Sequence, residues 1–201
     1  IKRWYSFLNF QKKNLKADKK VISPSLSSKN DICRYFDYPS KNISVIWNGI
    51  NLDDCKFHQR ESFNANFVTI ISADVPMKNL KTVLKALYLL KQEGINAKLT
   101  IVGDLREDNN KLIDRLGLTK EITYKSKLPR KQLIQSLNNA DIGIAPSKYE
   151  GFGFPLVEMI ATGLPVIVSD KASLPELAGN AGLIFNSSDS NDLKEKMKEL
   201  I

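Results

Sequence analysis

The feature that most limits the fold of this chain is a regular alternation, from residue 63 onward, of short apolar runs and amphipathic segments. Residues 67–72 (FVTIIS) and 98–103 (KLTIVG) have the length and Val/Ile content of strands, whereas the leucines of residues 79–92 recur at helical spacing. Strands that alternate with helices predict βαβ units and a parallel sheet. Continuous apolar strands indicate that helices cover both faces. We therefore predict an α/β fold with a Rossmann-like, doubly wound parallel sheet.

The predicted elements extend along the whole chain. Strands are predicted at residues 20–23, 43–47, 67–72, 98–103, 121–125, 141–146, 165–169 and 182–185. Helices are predicted at residues 1–17, 27–36, 79–92, 110–116, 130–139, 154–162, 174–178 and 190–200, with Ser27 as the cap of the second. Residues 50–62 show no periodicity and are interpreted as a linker, which separates an N-terminal segment, 1–62, from a domain, 63–201. Because doubly wound sheets bind ligands beyond the carboxyl ends of their strands, we expect the chemistry in the loops there.

The cysteines and the histidine argue against several classes of site. Cys33 and Cys55 are too few for a disulfide framework, and together with the single His58 they cannot supply a zinc cluster. No Gly-x-Ser-x-Gly nucleophile elbow accompanies His58. We therefore expect neither a metal site nor Ser-His-Asp chemistry.

The positive charge is concentrated at the N-terminus. The net charge is +8, and residues 1–20 supply +6 of it, with seven Lys or Arg against one Asp. The nearly neutral remainder argues against a nucleic-acid surface. Trp4, Tyr5 and Leu8 fall on one face of the first predicted helix. A basic helix with an aromatic face is typical both of peripheral contact with an anionic membrane and of packing on another domain, and we favour packing.

We expect neither a membrane span nor a secretory leader from this sequence. No apolar run approaches the roughly 18 residues that a span needs. Ile1 is not an initiator Met, and Lys-rich sequence follows it where a leader would be apolar. We expect a cytoplasmic location, with membrane association through residues 1–20 as the open alternative.

The segment SKYEGFGFPLVE, residues 147–158, carries the functional prediction. It follows a predicted strand and opens a predicted helix, and Pro155 suits the first helical turn. Gly151 and Gly153 allow the backbone to approach a ligand closely. The N–H groups and the positive end of the helix dipole then predict an anion site suited to phosphate.

Two carboxylates, Glu150 and Glu158, flank this predicted phosphate site. Carboxylates repel a diphosphate, so their placement favours a ligand that carries neutral hydroxyl groups at both ends. A carboxylate can accept two hydrogen bonds from a vicinal diol. A nucleotide sugar has this arrangement of sugar hydroxyls, diphosphate and ribose diol. We predict that Glu150 binds the sugar and Glu158 the ribose.

The segment SKYEGFGFPLVEMIATGLPVIVSD, residues 147–170, resembles the signature of the family 4 retaining glycosyltransferases, including its Glu-x7-Glu spacing. Ala140-Asp141 precedes it and Pro175-Glu176 follows it, as in that family. Upstream, KVISPSLSSKNDI and ISVIWNGI resemble the end of the family's N-terminal domain. The resemblance covers essentially the whole chain. It implies the C-terminal, donor-binding half of a GT-B fold, preceded by a partial segment of the N-terminal acceptor domain.

The resemblance also implies roles for individual residues. Lys78, in VPMKNL, matches the family's diphosphate-binding lysine, which would stabilise the charge that the leaving group gains. Phe152 and Gly153 would offer backbone N–H groups to sugar or phosphate. Asp104 lies in a strand-end turn and Leu128 in a base-side loop that match the family's donor site. Neither a metal nor another cofactor is implied.

Two departures from the family pattern affect the prediction. Members often carry an arginine five residues before the lysine, but this chain has Ala73 there, and nothing in the sequence shows that Lys81 replaces the missing charge. Residues 1–50 could supply only one or two strands of the acceptor domain's sheet. We therefore expect the 201-residue chain alone to bind donor and to transfer little sugar.

Two functional classes stay in competition. The leading one is a hexosyltransferase-type enzyme in which Lys78 and Glu150 act by orientation and charge stabilisation rather than by acid–base chemistry. Its donor would be a UDP- or GDP-sugar and its acceptor a glycan or a lipid-linked molecule, as in polysaccharide biosynthesis. The alternative is a non-catalytic nucleotide-sugar-binding module or regulatory subunit, which Ala73 favours. An epimerase or glycan phosphorylase lacks matching motifs. The base, the sugar and the acceptor stay open.

Overall fold

A computed structural model describes residues 2–15, 20–57, 59–60, 62–71, 74–126 and 128–201, and of residues 2–8 it describes the backbone alone. Its contacts divide the chain into two compact units, Ile1–Gly49 and Ile50–Ile201. None of the helices in the described ranges is long and apolar enough to cross a membrane.

The first unit contains two helices and two short strands. They are α1 (Lys2–Leu15), β1 (Val21–Ser23), α2 (Leu26–Phe36) and β2 (Ile43–Val45). β1 and β2 pair in parallel, with Val21 opposite Ile43 and Ser23 opposite Val45. The side chains of Trp4, Tyr5 and Leu8 lie outside the described ones, so membrane contact through residues 1–20 stays a prediction.

The prediction that Ser27 caps α2 is wrong. Ser25 is the N-cap, and its hydroxyl oxygen accepts a hydrogen bond from the backbone N–H of Ser28 at 3.0 Å. The extended backbone of Ser25, with φ −155° and ψ 160°, lets its side chain fold back onto the first helical turn. Ser25, Ser27 and Ser28 stand close together in the sequence, and the backbone conformation makes Ser25 the cap.

The second unit is a parallel sheet with helices between its strands. The strands are β3 (Asn66–Ile71), β4 (Lys98–Gly103), β5 (Ile122–Lys125), β6 (Ile142–Ala145), β7 (Val166–Ser169) and β8 (Gly182–Phe185). The helices are α3 (Leu80–Gln92), α4 (Glu107–Arg115), α5 (Arg130–Asn138), α6 (Phe154–Ala161), α7 (Leu174–Ala178) and α8 (Ser190–Glu199). The strand order is β5-β4-β3-β6-β7-β8. This order confirms the Rossmann-like, doubly wound sheet, and it reverses between β3 and β6.

Two apolar layers cover the sheet, one on each face. Phe67 and Ile71 of β3 belong to a cluster with residues of α3, α4 and α8, whereas Val68 packs with residues of α5, α6 and α7. These three side chains are at most 1% exposed. Successive strand residues point to opposite faces, so a strand buried at adjacent positions needs apolar partners on both sides.

α4 begins at Glu107, earlier than the predicted residue 110. The Asp74 carboxylate, which lies between β3 and α3, accepts hydrogen bonds from the backbone N–H of Arg106 at 2.7 Å and from the side chain of Asn109 at 2.7 Å. Asp74, which is distant in sequence, therefore accepts hydrogen bonds from the start of α4 and acts as its cap. Such a cap leaves no local signal in the sequence.

Residues 50–62, interpreted from the sequence as a linker, belong to the second unit. The Arg60 guanidinium donates to the carbonyl oxygens of Ala140 at 2.5 Å, Gly163 at 3.2 Å and Leu137 at 3.4 Å. These carbonyls lie beyond or within the last turns of α5 and α6, where helices leave acceptors without intrahelical partners. The segment leading into β3 is thus fastened to the sheet's helices.

Gly103, at the end of β4, is a position where we expect a substitution to damage the sheet. Its φ is +133°, and a Cβ there would lie 1.5 Å from the carbonyl oxygen of Ile71 in β3. Gly103→Ala should therefore lower the free energy of unfolding by about 3 kcal/mol or more, since backbone must move. Gly94→Ala is the matched control, because φ is +76° but nothing lies within 4 Å of the added Cβ. We expect it to cost about 1 kcal/mol. Urea denaturation of both variants checks this, and equal midpoints would contradict it.

Candidate functional site

The reversal of strand order places the loops after β3 and β6 side by side. In a doubly wound sheet this reversal opens a crevice beyond the carboxyl ends of the strands. The two loops are joined directly, because the backbone N–H of Lys148 donates to the carbonyl oxygen of Met77 at 2.7 Å. Lys78 and Glu150 lie in these loops, close to this hydrogen bond.

Lys78 and Glu150 form an ion pair across the two loops. Lys78 ends the 3-10 turn Pro76–Lys78, and its Nζ lies 2.6 Å from Oε1 of Glu150. The hydroxyl of Ser147 donates to the same oxygen at 2.8 Å. The two charged side chains are 17% and 20% exposed, so they are partly withdrawn from water and attract each other more strongly than a surface pair. The structure thus places the two residues predicted to be catalytic in direct contact.

Asn79 holds the Lys78 turn in place, and the sequence did not single it out. Its backbone is left-handed, with φ 57° and ψ 27°, and the residue is 4% exposed. Its side-chain amide donates to the carbonyl oxygens of Pro146 at 3.0 Å and Ser187 at 2.8 Å, and the hydroxyl of Thr82 donates to its Oδ1 at 2.9 Å. Asn79 therefore ties the loop after β3 to the loops after β6 and β8. Asparagine tolerates the left-handed conformation better than most residues, and this is the property by which the sequence could have indicated a turn at Asn79.

The glycine-containing loop after β6 is held by Ser173. The Ser173 hydroxyl contacts the carbonyl oxygen of Phe152 and lies 3.0 Å from that of Glu150. Gly153 is the N-cap of α6, with φ 117° and ψ 53°, and a Cβ there would approach Leu174 Cδ2 to 3.1 Å. The backbone conformation thus favours glycine, and an added Cβ would also press against the Leu174 side chain.

The start of α6 is arranged to present backbone rather than side chains. Phe152 is 6% exposed, and its ring packs edge-on against that of Phe154 with the centroids 5.3 Å apart. Gly151 and Gly153 flank it without side chains. Within the described residues no side chain caps α6, so the N–H groups and positive dipole of its first turn suit an anion.

Glu158, on α6, is paired with Arg130, a residue the sequence did not single out. The Arg130 guanidinium, at the start of α5, contacts Oε1 of Glu158, and it also lies 3.6 Å from the Asp54 carboxylate and 3.1 Å from the Cys55 sulfur. Burial lowers the pKa of Arg130, but the negative charge of Glu158 and its hydrogen bond outweigh burial. The pKa of Arg130 therefore lies above its ordinary value. Burial raises the pKa of the Cys55 thiol, and Arg130 opposes that shift. Nothing local in the sequence marks Arg130 as a partner of Glu158.

Asp104 and Leu128 border a cavity of about 210 Å³ at the carboxyl ends of β3 and β4. The cavity is lined by Ile70, Ile71, Val102, Gly103, Asp104, Leu128 and Leu133. Its walls are mainly aliphatic, and the Asp104 carboxylate accepts a hydrogen bond from the Ser126 hydroxyl at 2.7 Å. Asp104 of the predicted strand-end turn and Leu128 of the predicted base-side loop thus share one depression.

His58 and Ala73 lie outside the residues that the structure describes. Among the residues that the structure describes, no group of three or more His, Cys, Asp and Glu side chains could hold a metal ion.

Comparison with known proteins assigns the family. The family described as glycosyl transferases group 1 matches residues 54–201. This chain belongs to that family. Among the curated relatives of this group 1 chain, the MMP alpha-(1->4)-mannosyltransferase of Mycolicibacterium hassiacum is 32% identical over 185 residues, which cover 90% of this chain and 44% of that protein.

Solved structures share the fold of this group 1 chain. A glycosyltransferase from Rickettsia africae ESF-5 superposes with a TM-score of 0.81 at 22% identity, covering 96% of this chain and 56% of that one. HepE of Anabaena, solved in complex with UDP and glucose, gives a TM-score of 0.78 at 19% identity over 90% of this chain and 53% of its own. The second unit is thus the Rossmann-like half of a GT-B fold. The chain spans about half the length of each of these three proteins.

Two replacements of Asn79 should separate the stability that comes from its side-chain hydrogen bonds from the stability that comes from its tolerance of the left-handed backbone. Asn79→Gly keeps the left-handed backbone and loses the side-chain hydrogen bonds, which we expect to cost about 2–3 kcal/mol of unfolding free energy. Asn79→Ala loses the same bonds and adds the strain of a left-handed alanine, about 1–2 kcal/mol more. Thermal and urea unfolding of both variants measures the order. An alanine variant as stable as the glycine variant would show that the backbone conformation does not constrain this turn.

Proposed function

We propose that this group 1 chain binds a nucleotide-diphosphate sugar in the crevice between β3 and β6, and that the whole protein transfers the sugar to a glycan or lipid-linked acceptor. The observation that carries the proposal is the contact of Lys78 with Glu150 at 2.6 Å, in the loop that leads into the N-terminus of α6. A cation, a carboxylate and a helix N-terminus together match a ligand that has an anionic centre beside hydroxyl groups.

The diphosphate would lie at the start of α6. Backbone N–H groups of Phe152 and Gly153 and the helix dipole favour negative charge there, and Gly151 leaves room for close approach. Lys78 adds a full positive charge from the neighbouring loop. As the bond between the sugar and the diphosphate breaks, the leaving phosphate gains negative charge, which Lys78 would stabilise.

Glu150 would orient the donor sugar. Lys78 and Ser147 both donate to its Oε1, and no residue in the described ranges hydrogen-bonds Oε2. Oε2 is therefore able to accept from a sugar hydroxyl, while the Ser147 hydroxyl, which donates to Oε1, keeps the side chain in place after Lys78 has turned to the phosphate. This role requires an ionised carboxylate as an acceptor, not a nucleophile or a base.

The nucleoside would occupy the neighbouring part of the crevice. Glu158 would accept hydrogen bonds from the ribose diol, as its position one turn into α6 indicates. The cavity beside Asp104 and Leu128 would receive the base. The name of the mannosyltransferase relative supports a hexose donor, and HepE with its UDP and glucose supports a uridine nucleotide. UDP-sugars and GDP-sugars are both consistent with these observations.

A non-catalytic nucleotide-sugar-binding module is the second candidate. Ala73 stands where family members often have an arginine, so the positive charge around a diphosphate is reduced. Such a module would bind the nucleotide sugar through the same residues but would not transfer the sugar. Transfer by the whole protein, measured with a radiolabelled hexose donor, separates the two.

Substitutions of Glu150 and Lys78 should change nucleotide binding in opposite directions. Glu150→Gln removes the carboxylate that competes with phosphate for Lys78, so UDP or GDP should bind about fivefold more tightly while sugar transfer is lost. Lys78→Ala removes a charged hydrogen bond to phosphate and should weaken binding about tenfold or more. Lys85→Ala, at an exposed position of α3, is a matched control for loss of a lysine charge and should leave both affinities unchanged. Isothermal titration with both nucleotides, and a transfer assay on the whole protein, provide the readouts.

Two results would overturn these assignments. Weaker binding of the nucleoside diphosphate by Glu150→Gln would mean that Glu150 does not oppose phosphate binding. An unchanged affinity in Lys78→Ala would exclude Lys78 from the diphosphate site. Tight binding without transfer in the intact whole protein would favour the module over the enzyme.

A further inference from the structure

Arg130, at the start of α5, contacts side chains from two other parts of the second unit. Its guanidinium contacts Glu158, and the same group lies 3.1 Å from the sulfur of Cys55 and 3.6 Å from the carboxylate of Asp54. Glu158 comes from α6, whereas Asp54 and Cys55 come from the segment before β3. Arg130 therefore joins its own helix, α5, to α6 and to the segment before β3, at the predicted ribose end of the crevice.

We propose that Arg130 is a positioning residue that holds the Glu158 carboxylate for the ribose diol and thereby sets the preference for a ribonucleotide. This inference rests on the proposed function, since it assigns the ribose to Glu158. Arg130 itself need not touch the ligand. It acts by fixing the direction in which the free oxygen of Glu158 points.

The geometry of the pair leaves Glu158 with an acceptor to offer. Arg130 Nη1 contacts Oε1 of Glu158, and no described residue is hydrogen-bonded to Oε2. The Glu158 side chain is 13% exposed, so few orientations are open to it. A charge-assisted hydrogen bond to one oxygen fixes the plane of the carboxylate and leaves the second oxygen for the diol.

The guanidinium is also the group that a lysine cannot replace. Three different nitrogens of Arg130 face the three partners, Nη1 toward Glu158, Nη2 toward Cys55 and Nε toward Asp54. A planar fork with fixed donor directions can do this, whereas a lysine ammonium is a single point charge. Glu158 and the buried Cys55 thiol thus restrict the orientation of the guanidinium, the exposed Asp54 carboxylate adds a weaker attraction, and the restricted guanidinium in turn restricts the Glu158 carboxylate.

Charge also favours the arrangement. A lone carboxylate near a diphosphate lowers the affinity of the site for the anion. Arg130 offsets the charge of Glu158 without occupying both of its oxygens, so the hydrogen-bonding function is kept and the repulsion is reduced. Lys78 has the same relation to Glu150.

Discrimination between ribose and 2′-deoxyribose tests the proposal. Kd values for UDP or GDP, whichever binds more tightly, and for its 2′-deoxy counterpart are measured by titration calorimetry on the chain. We expect the unmodified chain to prefer the ribonucleotide about tenfold. Arg130→Gln should reduce this preference to about twofold, Glu158→Gln should reduce it equally, and the double variant should reduce it no further. Arg130→Lys should fall between the unmodified chain and Arg130→Gln.

Two controls separate positioning from general effects. Lys78→Ala should weaken both nucleotides equally and leave their ratio unchanged. Arg115→Gln, which removes an exposed arginine from the end of α4, should change neither affinity nor ratio. The Arg130→Lys variant keeps the charge, so it serves as the test protein if Arg130→Gln does not fold.

The outcomes distinguish this inference from the proposed function. Failure of the chain to bind either nucleotide would overturn the proposed function and this inference with it. Binding without any ribose preference would remove the ribose role of Glu158 and refute the positioning role, while nucleotide binding would stand. A full ribose preference that persists in Arg130→Gln, or in Arg130→Lys, would overturn the positioning role alone.

Discussion

The ion pair of Lys78 with Glu150 connects the two loops on which the candidate site is built. Its geometry is determined by the sheet, because the loops follow adjacent parallel strands and are joined by the Lys148–Met77 hydrogen bond and by Asn79. Nζ lies 2.6 Å from Oε1, so a phosphate that binds Lys78 must compete with Glu150 for it. A sugar diphosphate replaces the lost ion pair for both residues, because its phosphate binds the lysine and its hydroxyl groups bind the carboxylate. Inorganic phosphate replaces it for the lysine alone. This difference favours a sugar diphosphate over inorganic phosphate.

The same arrangement recurs at the other end of the proposed ligand. Glu158 is paired with Arg130, as Glu150 is with Lys78, and each carboxylate uses one oxygen for its cation. Pairing reduces the repulsion between carboxylates and a diphosphate, which was the main physical objection to two glutamates beside a phosphate site. The start of α6, with Gly153 as its N-cap, then contributes backbone N–H groups between the two pairs along the chain.

Much of the fold could be predicted from the sequence because it depends on local patterns. Apolar runs and helical spacing located the strands and helices of the second unit, and the strand order follows the rules for doubly wound sheets. The segment around Glu150 stood out because glycines, Pro155 and glutamates follow one another in the chain. The contacts that depend on distant parts of the chain could not be predicted. Asp74 at α4, Asn79 between three loops and Arg130 on Glu158 act across many residues. The cap of α2 required a backbone angle at Ser25 that neighbouring serines do not reveal.

A crystal structure of the chain with bound UDP or GDP tests the central claim most directly. We predict that the distal phosphate lies at the N-terminus of α6 and that Lys78 Nζ has moved from Glu150 to within about 3 Å of a phosphate oxygen. The ribose diol should then contact Glu158. A nucleotide bound elsewhere, or a phosphate at α6 with Lys78 still paired to Glu150, would contradict the account.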